Sequence, residues 1–169
     1  AMGCSTNAII HVVAIGRRAG FDIGLEDFER IGRGIPVIAN IRPNGKTYLM
    51  EDFYYAGGLK GMLKRIEQHL HTDVMTVSGE SIGANIANAE VYDDDVIRPL
   101  DNPIYESGAL VVLKGNLAPD GCVMKVSAMD RKFLKHTGPA LVFDDYSAMK
   151  SAIDDENLDA TEDTVLVLR

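Results

Sequence analysis

No stretch of this chain approaches the roughly 20 apolar residues that a membrane-spanning helix needs. There is no basic segment followed by an apolar core and a cleavage site, so no secretory leader is read at the N-terminus. Positive charge is scarce: Lys and Arg total 17 against 25 Asp and Glu, for a net charge of -8 and a pI near 4.9. That balance argues against general affinity for nucleic acid or an anionic membrane. It leaves a small anionic substrate open, because a local site can oppose the global charge. Cysteine is equally scarce. Cys4 and Cys122 are far apart and make no metal-ligand spacing. Two thiols in an acidic chain fit a reducing cytoplasm, with a single disulfide as the open alternative. Internal repeats and low-complexity tracts are absent, and the lack of Trp decides nothing. What is present is apolar material: 46% of the 169 residues are hydrophobic, which suffices for a packed core and excludes wholesale disorder.

The most informative segment is Gly3-Cys4-Ser5-Thr6-Asn7, running directly into Ala8-Ile9-Ile10-His11-Val12-Val13-Ala14-Ile15. Ser5, Thr6 and Asn7 are all good helix caps, whose oxygens can meet the free N–H groups of a first turn. The same N–H groups and the positive end of the helix dipole suit an anion such as a carboxylate. These three residues are the candidate substrate-binding set, and an ordinary cap is the competing reading. Only Ala1 and Met2 precede this start. The expectation is an interior piece of a larger enzyme.

Periodicity predicts a helix over residues 5–19, stopped at Gly20. A short helix follows from Leu25 to Ile31. Residues 36–41 form an apolar run of strand length, closed by the turn Arg42-Pro43-Asn44-Gly45. Residues 50–70 read as one helix interrupted at Gly57-Gly58, and residues 73–77 as a strand or buried extended segment. A short helix is expected over 81–90. The proline-rich stretch within 92–108 reads as an extended connection. After it the pattern is strand-rich: 109–113 and 122–126 flank a turn, a third strand covers 140–143, a helix 147–153 and a last strand 164–168. The fold class is α/β. Residues 1–91 are assigned to the end of an αβα N-terminal domain, 92–108 to a linker, and 109–169 to the start of a β-rich, barrel-like C-terminal domain.

Other candidate chemistry has plainer explanations. Cys4 sits where a thiolate would be stabilised, yet no His or second Cys is near it in sequence, so it reads as neither ligand nor nucleophile. His11, inside an apolar helix, reads as a core histidine bonded to a backbone group. His69 and His71 are two residues apart and share no helical face. Glu51 and Asp52 are expected at a helix start for the dipole alone. Asp93-Asp94-Asp95 lacks the glycine and distal glutamate of a calcium loop. No residue is assigned a catalytic or metal-ligating role.

Four segments in order resemble one family. Ala1-Met2-Gly3-Cys4-Ser5-Thr6-Asn7-Ala8 is similar to the "GGSTN" helix start of the dihydroxy-acid and phosphogluconate dehydratase superfamily. Met50-Glu51-Asp52 with Ala56-Gly57-Gly58 resembles its "MED…AGG" segment. Residues 115–125, Gly-Asn-Leu-Ala-Pro-Asp-Gly-Cys-Val-Met-Lys, resemble its "GNLAPDGAVVK" hairpin, and residues 136–143 the strand that follows. The short interval between Gly79 and Gly108, and the segment from Arg98 to Pro103 within it, look more like the sugar-acid branch, the arabinonate and xylonate type.

The resemblance implies a lyase that removes water from a 2,3-dihydroxy acid, giving a 2-keto acid through an enol. It implies an iron–sulfur cluster (2Fe–2S) acting as Lewis acid on the leaving C3 hydroxyl. It further implies magnesium on the carboxylate and C2 hydroxyl, and a serine alkoxide taking the C2 proton. The family's cluster cysteines, magnesium aspartates and modified lysine lie upstream of the "GGSTN" helix. Its magnesium glutamate and catalytic serine lie downstream of the last strand read here. None of those motifs occurs in this chain, so no cofactor is assigned to it. Cys4 takes the place of the family's second glycine, and Cys122 that of an alanine, where it reads as a packed thiol. The complete protein is expected to be a cytoplasmic homo-oligomer acting on a small sugar acid or dihydroxy acid, without nucleic-acid or membrane partners. The isolated chain is expected to be inert and to self-associate through uncovered edges. The alternative is a non-catalytic αβ small-molecule-binding module that keeps only the scaffold.

Overall fold

The computed structural model describes all residues, 1–169. It has α/β character and divides into two compact units, residues 1–128 and 129–169.

The first unit opens with α1 (Thr6–Arg18), capped by Ser5 and closed by Arg17 and Arg18 in its last turn. Those cations complement the negative end of the dipole. Only Ile9 and Gly16 of α1 are buried, while Ile10, Val12 and Ile15 are exposed. His11 is exposed too, so it is not the core histidine its neighbours implied. The reason is positional: α1 packs along one narrow stripe, and His11 is off that stripe. α2 (Leu25–Gly32) begins at Gly24, whose N–H donates to Asp27 Oδ2 at 3.1 Å.

Residues 36–41 are extended and buried, as their apolar run predicts, but they build no continuous ladder. They pair through single bridges, Val37 with Tyr105, Ala39 with Ile97 and Ile41 with Tyr48. α3 (Met50–Tyr55) and α4 (Gly58–Arg65) are separated at Ala56 and Gly57, where the glycine pair interrupts the expected helix. α5 (Ile82–Ile86) is shorter than predicted and is capped by Ser81 Oγ, which accepts from Ala84 N–H at 3.1 Å. The core gathers Ile38, Ala39, Ile41, Phe53, Ala56, Met62, Ile66, Val96 and Ile97. Val96 and Ile97 come from the stretch read as a connection. That stretch is therefore threaded through the core, with Asn40 N–H donating to Val96 O at 2.8 Å and Arg98 N–H to Ile38 O at 2.8 Å. Residues 73–77 are the opposite case. Val74, Met75 and Val77 are exposed, and the segment folds back on residues 80–82 through the bridge of Met75 with Ser81, Thr76 N–H donating to Glu80 O at 2.9 Å and Ile82 N–H to Val74 O at 3.0 Å. Their apolar residues pointed to a strand or buried extended segment, yet no neighbouring strand is present to pair with them.

The hairpin of β1 (Leu110–Leu113) and β2 (Cys122–Lys125) is antiparallel, with Val111 opposite Met124. Its loop is closed by Gly121 N–H donating to Ala118 O at 3.0 Å. Cys122, at the hairpin edge opposite Leu113, is exposed rather than packed. α2 lies against β1, and Glu29 ties them: Oε2 accepts from Val112 N–H at 2.7 Å and Oε1 from Arg33 Nε at 2.6 Å.

This tie gives the first expected outcome. The Val112 N–H, and then Arg33, hold the Glu29 carboxyl below its ordinary range. A carboxylate whose folded pKa is lowered stabilises the fold above its unfolded value. That stability is lost as pH falls from the ordinary glutamate value of about 4.3 towards the lowered folded one. In urea titrations at stepped pH, Glu29→Gln will therefore lose less stability on acidification than the parent. Parallel acid profiles for the two proteins would refute the tie.

The second unit pairs β3 (Ala140–Phe143) with β4 (Val165–Leu168) in parallel, with α6 (Tyr146–Ile153) as the crossover between them. Asp145 caps α6 by accepting from Ala148 N–H at 2.8 Å. His136 Nε2 lies 2.9 Å from the Asp163 carbonyl, joining the two strand approaches. No helix of the chain is long and apolar enough to cross a membrane.

Candidate functional site: the start of helix α1

Ser5 leaves the extended region at φ -77°, ψ 148° and delivers the chain into α1. Its Oγ accepts from Asn7 N–H at 3.3 Å, and its carbonyl accepts from Ala8 N–H at 3.0 Å. The cap reading is therefore realised in the structure. Ser5 and Asn7 are exposed and Thr6 is half-buried, so the polar side chains of the first turn remain accessible.

The residues leading in are fixed to the core. Ile38 N–H donates to Ala1 O at 2.9 Å, which lays residue 1 beside the buried 36–41 run. Gly3 is buried at φ +75°. Asn44 Nδ2 donates to Gly3 O at 2.5 Å and to Met2 O at 3.2 Å. Asn44 Oδ1 accepts from Ser127 Oγ at 2.9 Å. Sequence reasoning took Asn44 only as a turn residue and did not single out Ser127. The one available signal was an amide side chain inside a turn that closes an apolar run.

Next to this start lies a cavity of about 670 Å³, bordered by Gly3, Cys4, Ile9, Phe28, Ile31 and Leu110 among others. Its lining is predominantly apolar, and Ser5, Thr6 and Asn7 are not part of it. Asp27 and Arg30 at its rim pair with each other at 2.9 Å. A hydroxylated acid is matched by the polar helix start, not by this cavity.

The other candidate groups do structural work. Asp52 Oδ2 accepts from Leu49 N–H at 2.7 Å, capping α3. Asp93 Oδ1 accepts from Asp95 N–H at 2.8 Å. Asp94 pairs with Arg65, and Asp95 pairs with Arg98 at 2.9 Å. Tyr48 donates to Asp95 Oδ2 at 2.8 Å, and that bond pushes the phenol up from its ordinary value. Cys4 and Cys122 are free, exposed thiols. No three His, Cys, Asp or Glu side chains converge on a common point.

The "GGSTN"-type start, the paired glycines after α3 and the hairpin loop thus occupy one continuous chain in the expected order. Comparison with known families decides what that order means. The N-terminal domain of dihydroxy-acid/6-phosphogluconate dehydratases matches residues 1–85, and the C-terminal domain matches residues 95–169. The chain belongs to this dehydratase family. It is 51% identical over 172 residues to the 6-deoxy-6-sulfo-D-gluconate dehydratase of Pseudomonas putida, covering 100% of this chain and 30% of that protein. It is 46% identical over 171 residues to the L-arabinonate dehydratase of Rhizobium leguminosarum bv. trifolii, covering 100% and 29%. Against the dihydroxy-acid dehydratase of Caldicellulosiruptor saccharolyticus the identity is 42% over 155 residues, 90% of this chain and 28% of that one. The chain spans less than a third of the length of these curated relatives.

Proposed function

We propose that this dehydratase-family chain is the central segment of a hydro-lyase acting on a 2,3-dihydroxy acid of the sugar-acid type. In the net reaction a proton leaves C2 and the C3 hydroxyl departs, together making one water. The resulting enol tautomerises to a 2-keto-3-deoxy acid. The observation that carries this reading is the family match to both domain types, over residues 1–85 and 95–169, with the accessible Ser5–Thr6–Asn7 helix start lying inside the first. The sugar-acid branch is supported by the matches to two sugar-acid dehydratases at 51% and 46% identity, each covering 100% of this chain.

Ser5, Thr6 and Asn7 are assigned to substrate binding. The N–H groups and dipole of α1 favour a carboxylate there, and the Thr6 hydroxyl and Asn7 amide supply partners for substrate hydroxyls. The two exposed thiols and dispersed carboxylates of this chain do not fit an iron–sulfur cluster or a magnesium cage. We place both groups on residues of the complete enzyme outside this segment. The complete enzyme is assigned to the cytoplasm as a homo-oligomer. The boundary between its two family domains is placed at residues 92–108.

The test is 2-keto acid formation by the complete enzyme from a panel of sugar acids and a branched 2,3-dihydroxy acid. Turnover confined to the branched acid would move the chain to the other branch, and turnover of none would remove the reading. Thr6→Ala is expected to raise KM about tenfold, the loss of one hydrogen bond to a charged substrate. Its melting temperature is expected to stay within a few degrees, because Ser5 is the cap. An unchanged KM would leave α1 with a cap and no substrate role.

A further inference from the structure

We propose that Asn44, held in place by Ser127, is the positioning residue of the substrate-binding helix start. The inference rests on the assignment of Ser5, Thr6 and Asn7 to substrate, and deepens it. Asn44 is a buried polar side chain, only 7% exposed. A buried amide must place both its donors and its acceptor, or it costs stability. Here Nδ2 is committed to the Met2 and Gly3 carbonyls and Oδ1 to the Ser127 hydroxyl.

The three segments joined are remote in sequence, with Asn44 41 positions from Gly3 and 83 from Ser127. The turn carrying Asn44 is rigid in its own right. Gly45 N–H donates to Ile41 O at 2.8 Å, Arg42 N–H to Tyr48 O at 2.9 Å, and Arg42 Nε to Lys46 O at 3.0 Å. Ile41 belongs to the core. Ser127 is anchored just after β2, where Val126 N–H donates to Ala109 O at 2.9 Å. A fixed frame therefore grips the two carbonyls that come just before Cys4 and Ser5.

The grip matters because of what it grips. Glycine populates many backbone states, and Gly3 sits in one of the left-handed ones. Without Asn44 the Gly3 hinge is free to carry Ser5, Thr6 and Asn7 away from one fixed position. A displacement of about 1 Å at groups that orient a substrate lowers rates substantially. Asn44 itself does not touch substrate. It acts through Gly3 and the first turn of α1.

The experiment uses the complete enzyme with Asn44→Ala, Ser127→Ala, Thr6→Ala and the double variant Asn44→Ala/Thr6→Ala. Asn44→Ala is expected to raise KM about tenfold, and Ser127→Ala, which spares both Nδ2 bonds, about threefold. In the Thr6→Ala background the effect of Asn44→Ala on KM is expected to shrink to about threefold, because the Thr6 contact that Asn44 positions is already gone while Asn7 and the helix N–H groups remain. A residue that only stabilised the fold would show no such coupling. Additive effects, or an unchanged KM in variants that fold, overturn the positioning role alone. An unchanged KM in Thr6→Ala removes the substrate assignment and the positioning role with it. Should Asn44→Ala fail to fold, Ser127→Ala combined with Thr6→Ala gives the same coupling measurement.

Discussion

Replacing Ile97 with alanine is expected to destabilise the chain by about 3–4 kcal/mol, a large share of a single domain's stability. Ile97 is 0% exposed and lies in the cluster with Ile38, Ala39, Phe53 and Met62. The substitution removes three buried carbons, worth about 0.8 kcal/mol each in transfer, and adds a cavity term. The cavity closes poorly because Ile97 is bridged to Ala39 and its N–H donates to Asp93 O at 3.1 Å, which fixes the backbone on both sides. Ile97→Val, removing one carbon, is expected to cost about 1 kcal/mol. The control is Ile15→Ala on α1, where the side chain is 69% exposed and the cost should stay below about 1 kcal/mol. Urea midpoints at unchanged slope provide the measurement. Equal losses for Ile97→Ala and Ile15→Ala would mean that residues 92–108 are a peripheral connection after all.

That contrast marks where the sequence was legible. Helices α1 and α2 and the hairpin were readable because each carries its own local signals. Ser5 caps α1, Gly24 opens α2, and a glycine-rich loop separates two apolar runs. Strands β3 and β4 were readable as apolar runs, although their pairing was not, since parallel partners leave no local turn between them. The burial of Val96 and Ile97 was not legible because aspartates and prolines surround two apolar residues. A two-residue insertion into a core has no period to detect. His11 and Cys122 failed for the opposite reason. Their neighbours are apolar, but burial is decided by which stripe of α1 or edge of β2 is covered, and that is a tertiary property. At the candidate site the cap residues were visible from type and position alone. Asn44 and Ser127 were not, because their partners are backbone carbonyls and each other, 41 and 83 positions apart.

Gly3→Ala brings the helix start and its clamp into one measurement, and its expected cost is about 3–5 kcal/mol. Two effects add. At φ +75° an L side chain is strained by about 1–3 kcal/mol. A Cβ at Gly3 would also lie 2.0 Å from Asn44 Nδ2, 2.3 Å from Cγ and 2.8 Å from Oδ1. All three contacts fall on one amide, so that amide must leave its place. Its departure strands the Met2 and Gly3 carbonyls and the Ser127 hydroxyl, each a polar group in or near the core. Gly20 separates the two effects. Its φ is +87°, and an added Cβ meets nothing within 4 Å, so Gly20→Ala should show only the backbone strain, about 1 kcal/mol. The excess of Gly3→Ala over Gly20→Ala then measures the clamp. Adding Asn44→Ala to Gly3→Ala relieves the collision, so the double variant should be less unstable than the sum of its two parts. Equal losses at Gly3 and Gly20, or strict additivity of Gly3→Ala with Asn44→Ala, would show that the amide does not grip the chain leading into α1.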